Sequence, residues 1–391
     1  MLAHWPPEVR LACLLCRRSL SPQQWEMARE LAGAGLDWNY FLRFVEAQKV
    51  LPIVSHHACQ SLTEMMPPRV CDELRVRAIG YRKRAEAMAD ELAAILTVLE
   101  DAAIVAVPLK GLTLVERIWG DWRLAACDDL DVLVRPNDTQ TATETLARCG
   151  YRADSKCADG VPRWKLGSDS LWLVRAHGQL PFLIWVDLQT NWWQRRINRS
   201  VRTDHLWGQL VGGRFRGANV WYLPDAWNLL TIGLHSLGHL FDSLLCVAEL
   251  HGLHEVAQEA WPEALRLAGQ LGVRPELLLA KEVCDLIMGE HVVERHTVRP
   301  LARCLADGPL LVPNSIIARH RLALASRLTI RSKIVYLLTG AFRPQPTDEA
   351  LIALPPRMRF LYYAIRPIRL AVRYFIHACR GGDTQALRPR D

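Results

Sequence analysis

The stretch "RLAACDDLDVLVRP", residues 123–136, places three acids directly beside a short apolar run. Alternate residues of a β-strand point to the same face, so Asp129 and Asp131 project together, about 7 Å apart along the strand. Burying two such carboxylates is costly unless another charge compensates them. A divalent cation removes their repulsion, so the stretch predicts a strand whose first residues bind Mg²⁺ or Mn²⁺.

Apolar patterns on both sides of this stretch predict an α+β protein with a small mixed-sheet core between N-terminal and C-terminal helical regions. Helical spacing dominates residues 1–103, including one long amphipathic helix at 68–103. We expect the core at 104–223, a second helical region at 224–340, and a Pro-rich linker with a basic amphipathic helix at 341–391. The strands predicted for the core are 104–109, 130–134, a hairpin of 170–175 with 181–190, and 219–223.

Asp187 is an acid in the otherwise apolar strand "FLIWVDLQT", where it has no evident structural role. If this strand lies beside that of Asp129 and Asp131, the three carboxylates converge and could bind two cations. Asp187 could also take the proton from an attacking hydroxyl. Lys110 and Gly111 interrupt the first strand just before a helix, where a lysine and free N–H groups could bind a triphosphate.

The segment from residue 108 to residue 151 resembles the core motif of the uncharacterised nucleotidyltransferase family, a branch of the polymerase-β-like nucleotidyltransferase superfamily. The resemblance covers about 104–255. Its residues are Lys110, Gly111, Arg123, Asp129, Asp131, Gly150 and Tyr151, followed by Asp187 and His235.

This resemblance implies transfer of a nucleoside monophosphate from an NTP to an acceptor hydroxyl, with release of pyrophosphate. It implies that Asp129, Asp131 and Asp187 are the catalytic, metal-binding carboxylates. Lys110, Gly111, Arg123 and His235 would then contact the nucleotide. The acceptor stays open and could be a sugar, a small molecule, a peptide or a protein.

Two departures from the family pattern keep alternatives open. Gln189 stands where the family usually has His, and Glu249 stands where it has a late Asp. A catalytically inactive, nucleotide-binding regulatory protein is therefore one alternative. Another is a helical metallohydrolase using Glu249 with His235 and His239, which lie one helical turn apart, although no H-E-x-x-H motif is present.

The net charge of +7 comes from the end of the chain, because residues 331–391 contain 11 Lys and Arg against 4 Asp and Glu. A basic amphipathic helix at 359–380 could dock on an anionic membrane surface; the nucleic-acid signal is weak. Eleven scattered Cys, including a C-x-x-C at 13–16 without a second pair, favour reduced thiols. With neither a signal peptide nor a long apolar span, we expect a cytoplasmic protein that could bind the inner membrane face peripherally.

Overall fold

The N-terminal region consists of five helices. The computed structural model describes residues 4–153, 170–176, 182–190, 205–289, 323–326, 330–342, 344, 348 and 351–379. Ser21 and Gln24 form a reciprocal capping box at the start of the second helix. The predicted long helix is also confirmed. The five helices are α1 (Pro7–Leu15), α2 (Pro22–Gly33), α3 (Trp38–Ala47), α4 (Leu51–Ser61) and α5 (Pro68–Asp101).

A five-stranded mixed sheet follows, with the strand order β1-β2-β5-β4-β3. Strands β2 and β5 are parallel, and the other neighbours are antiparallel. The predicted hairpin is confirmed as the β4–β5 pair, while its turn at 177–181 lies outside the described residues. The elements are β1 (Ala106–Pro108), α6 (Leu112–Trp119), β2 (Asp129–Val134), α7 (Thr139–Arg148), β3 (Arg152–Ala153), β4 (Ser170–Ala176) and β5 (Leu183–Gln189).

The strand predicted at 219–223 is present, but it does not belong to this sheet. It is β7 (Ala218–Tyr222), and it pairs antiparallel with β6 (Val211–Phe215) in a separate two-stranded sheet. Strand β6 was missed because its sequence, VGGRF, contains two glycines and is mostly exposed, so it shows no apolar alternation.

Four helices follow the second sheet, and they pack with the N-terminal helices in one hydrophobic core. Leu14 of α1, Phe41 of α3 and Trp227 of α8 all belong to this buried cluster. A second cluster lies under the five-stranded sheet and includes Leu92 of α5 and Val132 of β2. The four helices are α8 (Asp225–Gly238), α9 (Leu244–Val256), α10 (Trp261–Gln270) and α11 (Arg274–Met288).

The last two helices in the described part of the chain are α12 (Ile330–Phe342) and α13 (Tyr362–Cys379). Helix α13 confirms the predicted basic amphipathic helix. A 3₁₀ turn at Pro356–Leu361 lies within the predicted linker. No helix in the described residues combines the length and the apolar character needed to cross a bilayer. Cys13 and Cys16 are buried free thiols, as expected.

Candidate functional site

Two of the predicted carboxylates meet on one face of the five-stranded sheet, on its neighbouring inner strands β2 and β5. In the parallel β2–β5 pair, Asp131 lies directly opposite Asp187, so both side chains are on the same face. The Nε2 atom of Gln189 donates to Asp131 Oδ1 at 2.7 Å and to Asp187 Oδ2 at 2.9 Å. Asp129 lines the same cavity, whose volume is about 640 Å³. Asp131 and Asp187 therefore lie together, and Asp129 lines the cavity that they face.

Burial makes this carboxylate cluster electrostatically unfavourable in the absence of a cation. Asp131 and Asp187 are 7% and 8% exposed. Burial, and then repulsion from Asp131 and Asp129, raises the pKa of Asp187 to about 7. Burial also raises the pKa of Asp131, although Lys110 opposes this effect. The site thus has more negative charge than its own residues neutralise.

Lys110 supplies the nearest positive charge, and Gly111 shapes the turn that carries it. Lys110 Nζ lies 3.0 Å from Asp131 Oδ2. Burial would lower the pKa of Lys110, but attraction to Asp131 and Asp129 outweighs burial and raises it. Gly111 has φ +67° and ψ −126°, a conformation that favours glycine, and helix α6 starts at the next residue. The unpaired N–H groups of this helix therefore begin at the edge of the cavity.

Helices α8 and α9 contribute the helical wall of the cavity, including His235, His239 and Glu249. Burial, and then the charge of Lys110, lowers the pKa of His235 well below its usual value. Its imidazole is therefore neutral at neutral pH. Burial raises the pKa of Glu249 to about 7. His235 therefore lines the same cavity as the carboxylates, with Lys110 and His239 as its titratable neighbours.

Lys49 is a cavity residue that sequence reasoning missed. It follows helix α3, and its Nζ lies 2.6 Å from Asp128 Oδ2. Its φ of +59° belongs to the left-handed turn that ends helix α3, where the N–H of Lys49 donates to Glu46 O and the N–H of Val50 donates to Val45 O, both at 3.0 Å. Helix α9 holds this turn in place, because the N–H of Leu244, its first residue, donates to Gln48 Oε1 at 2.8 Å. No local pattern marks Lys49, because its partner is distant in sequence.

Arg123 occupies a different position from the one predicted. Its Nε donates to Asp121 Oδ1 at 2.7 Å, and the side chain is 47% exposed. It does not line the cavity with the carboxylates. The resemblance implied that Arg123 contacts the nucleotide, but the local turn at Asp121 provides an acidic partner outside the cavity. Lys49 and Arg84, rather than Arg123, are the cations near Asp128.

The carboxylates fit a hard divalent cation by their chemistry. Asp187 Oδ1 is buried and has no hydrogen-bond partner among the described residues. Mg²⁺ commonly binds through one or two carboxylates together with substrate phosphates, so the protein need not supply a complete cage. In the described part of the chain, no group of three or more His, Cys, Asp or Glu is arranged so that it could hold a metal ion by itself, so Asp129, Asp131 and Asp187 do not form a complete metal cage. The same finding gives no support to a zinc site at His235, His239 and Glu249.

The mixed sheet, the carboxylates on its inner strands and its flanking helices define the protein as an α+β chain with a nucleotidyltransferase-type core. A family model described as "Uncharacterised nucleotidyltransferase" matches residues 34–289, well over half of the chain. The chain therefore belongs to the uncharacterised nucleotidyltransferase family, and its general activity is nucleotidyl transfer. The match extends beyond the 104–255 covered by the motif resemblance and includes Lys49. No curated protein and no solved structure matches the chain significantly.

Proposed function

We propose that the protein transfers a nucleoside monophosphate from an NTP to an acceptor hydroxyl in this cavity and releases pyrophosphate. The observation that carries the proposal is the register of β2 and β5, which puts Asp131 opposite Asp187. Asp129, Asp131 and Asp187 would hold Mg²⁺ or Mn²⁺. A divalent cation in such a site stabilises the charge that develops during phosphoryl transfer.

The cavity's own residues would orient the two substrates. Lys110 and the N–H groups that follow Gly111 would hold the phosphates, since both offer positive charge at one turn. Lys49 adds a second ammonium on the same cavity. The neutral ring of His235 can donate a hydrogen bond without adding charge. Asp187 Oδ1 can bind the cation or accept the proton of the attacking hydroxyl.

A labelled nucleotide identifies the acceptor, because the label is transferred to whichever sugar, small molecule, peptide or protein accepts the nucleoside monophosphate. Purified protein is incubated with each α-labelled NTP and Mg²⁺ or Mn²⁺ in a cell extract, and label transfer and pyrophosphate are measured. Asp131→Asn should abolish both signals. The matched control is Asp72→Asn, which changes an exposed carboxylate of α5 and should retain them.

A regulatory protein that binds nucleotide without chemistry is the second candidate. The observation favouring it is Gln189, whose amide already bridges Asp131 and Asp187. In this case the NTP would raise the melting temperature, but neither label transfer nor pyrophosphate would appear. That result, obtained with every NTP and both metals, would overturn the transferase proposal.

A further inference from the structure

The C-terminal helices expose an unusual amount of apolar surface. Among the described residues, 19 large hydrophobic side chains are exposed, and 12 of them lie between residues 330 and 372. We call the surface formed by α12, α13 and residues 351–361 between them the C-terminal apolar surface. It lies outside residues 34–289, which the family model matches. The function of this surface is therefore a separate question from nucleotidyl transfer.

Helix α12 presents a continuous apolar stripe to solvent. Ile330, Ile334, Leu337 and Leu338 follow helical spacing, so they share one face, and each is at least 50% exposed. Tyr336, on another side of the helix, packs against the hydrophobic core. The helix is thus attached to the protein while its apolar stripe remains uncovered.

Helix α13 is held with its charged face inward. Arg366 Nη1 and Arg369 Nε lie 3.0 Å and 2.7 Å from the carboxylate of Asp348, which is fully buried. Arg366 Nε also donates to the carbonyl oxygen of Gly340 at 3.0 Å. Ile368 and Val372, four residues apart on a different face, are exposed. These ion pairs fix an orientation in which the apolar face is directed to the outside.

The charge around this surface identifies what can cover it. Among the residues of this surface whose side chains the structure describes, the charged ones are Lys333, Arg357, Arg359, Arg366 and Arg369 against Asp348, which is already paired internally. Lys333 and Arg357 are exposed beside the apolar side chains. A second copy of the chain would bring this excess positive charge against itself. An anionic bilayer offers both an apolar phase and the opposite charge.

We propose that the C-terminal apolar surface docks the protein on an anionic lipid bilayer, with α12 and α13 lying in the interface. The apolar stripes enter the boundary between headgroups and acyl chains, and the neighbouring basic side chains contact anionic headgroups. The Arg366–Asp348 and Arg369–Asp348 pairs keep the apolar face of α13 available for this contact. Docking does not require the active site to be occupied or functional.

The test is sedimentation of the full-length protein with vesicles of phosphatidylcholine alone or mixed with phosphatidylglycerol. We expect binding to the mixed vesicles, weak binding to the neutral ones, and loss of binding in high salt. The double variant Leu337→Glu and Ile368→Glu should bind at least about tenfold more weakly. Both positions are exposed, so the fold, checked by circular dichroism, should persist.

The matched control is Val76→Glu with Ile79→Glu, which changes two comparably exposed side chains on α5. It should bind the mixed vesicles like the unaltered protein. Three results would overturn the proposal: no binding of the unaltered protein to anionic vesicles, equal binding to neutral ones, or equal losses in both double variants. A dimer that the Leu337→Glu and Ile368→Glu changes dissociate, without any vesicle binding, would assign the surface to self-association instead.

Discussion

Asp187 is the buried acid whose replacement should stabilise the metal-free protein while removing its activity. Burial, and then repulsion from Asp131 and Asp129, raises its pKa from 3.8 to about 7 in the folded protein. Between these two values the folded state holds a proton that the unfolded state has lost. Stability therefore falls as pH rises through this window, and the loss is complete above about pH 7.

The size of this effect follows from the shift of about three pKa units, which corresponds to about 4 kcal/mol of destabilisation above neutral pH. The side chain introduced by Asp187→Asn is uncharged at every pH, so this variant does not lose stability as the pH rises. Its amide oxygen accepts a weaker hydrogen bond from Gln189 than a carboxylate does. We therefore expect a net gain of about 1–3 kcal/mol in the free energy of unfolding near pH 8.5, and a smaller gain near pH 5.

Urea denaturation in EDTA, followed by tryptophan fluorescence at both pH values, measures this gain. Asp72→Asn, with its carboxylate 74% exposed, is the control and should change stability by less than about 0.5 kcal/mol at either pH. In preparations of the same proteins without EDTA, added Mg²⁺ should raise the melting temperature of the unaltered protein more than that of Asp187→Asn. A variant that is no more stable than the unaltered protein near pH 8.5, or equally stabilised at both pH values, would refute the reasoning.

Five further substitutions test three other features of the structure. Gly252→Ala on α9 would place a methyl group against Ile118 of α6, so it should lower the urea midpoint. Gly80→Ala on α5 has open space around the added methyl group, so it should raise the free energy of unfolding by up to about 1 kcal/mol. Glu91→Ala removes the buried acceptor of Tyr151 and should cost about 2–4 kcal/mol, measured by the same denaturation. In the label-transfer assay, Lys49→Met should reduce the rate at least about tenfold, while Arg123→Ala should leave it within about threefold; the reverse order would contradict the placement of these residues.

Local sequence patterns predicted most elements of the core because short-range physics determines them. Alternating polarity placed Asp129 and Asp131 on one face of a strand, and the Lys110–Gly111 interruption marked the turn before α6. Each of these signals depends on neighbours within a few residues. The missed strand β6 has no such signal, because its glycines and exposed surface leave no alternation to read.

Contacts between distant residues were not predictable in this way. Lys49 meets Asp128 across 79 positions of sequence, and Gln48 meets Leu244 across 196. Arg123 stands at a position of the family motif, yet its side chain pairs with Asp121 outside the cavity. These outcomes depend on how the helices pack around the sheet, which no single segment specifies.

The sequence by itself determined the order of helices and strands, the pair of acids at the start of β2 and the concentration of positive charge at the C-terminal end. Only the tertiary structure decided that Asp187 would lie opposite Asp131, and that Arg366 and Arg369 of α13 would pair with the buried Asp348. Backbone periodicity sets which face a side chain occupies along its own segment. Packing between segments sets what that face meets, because burial and charge pairing are properties of the whole fold.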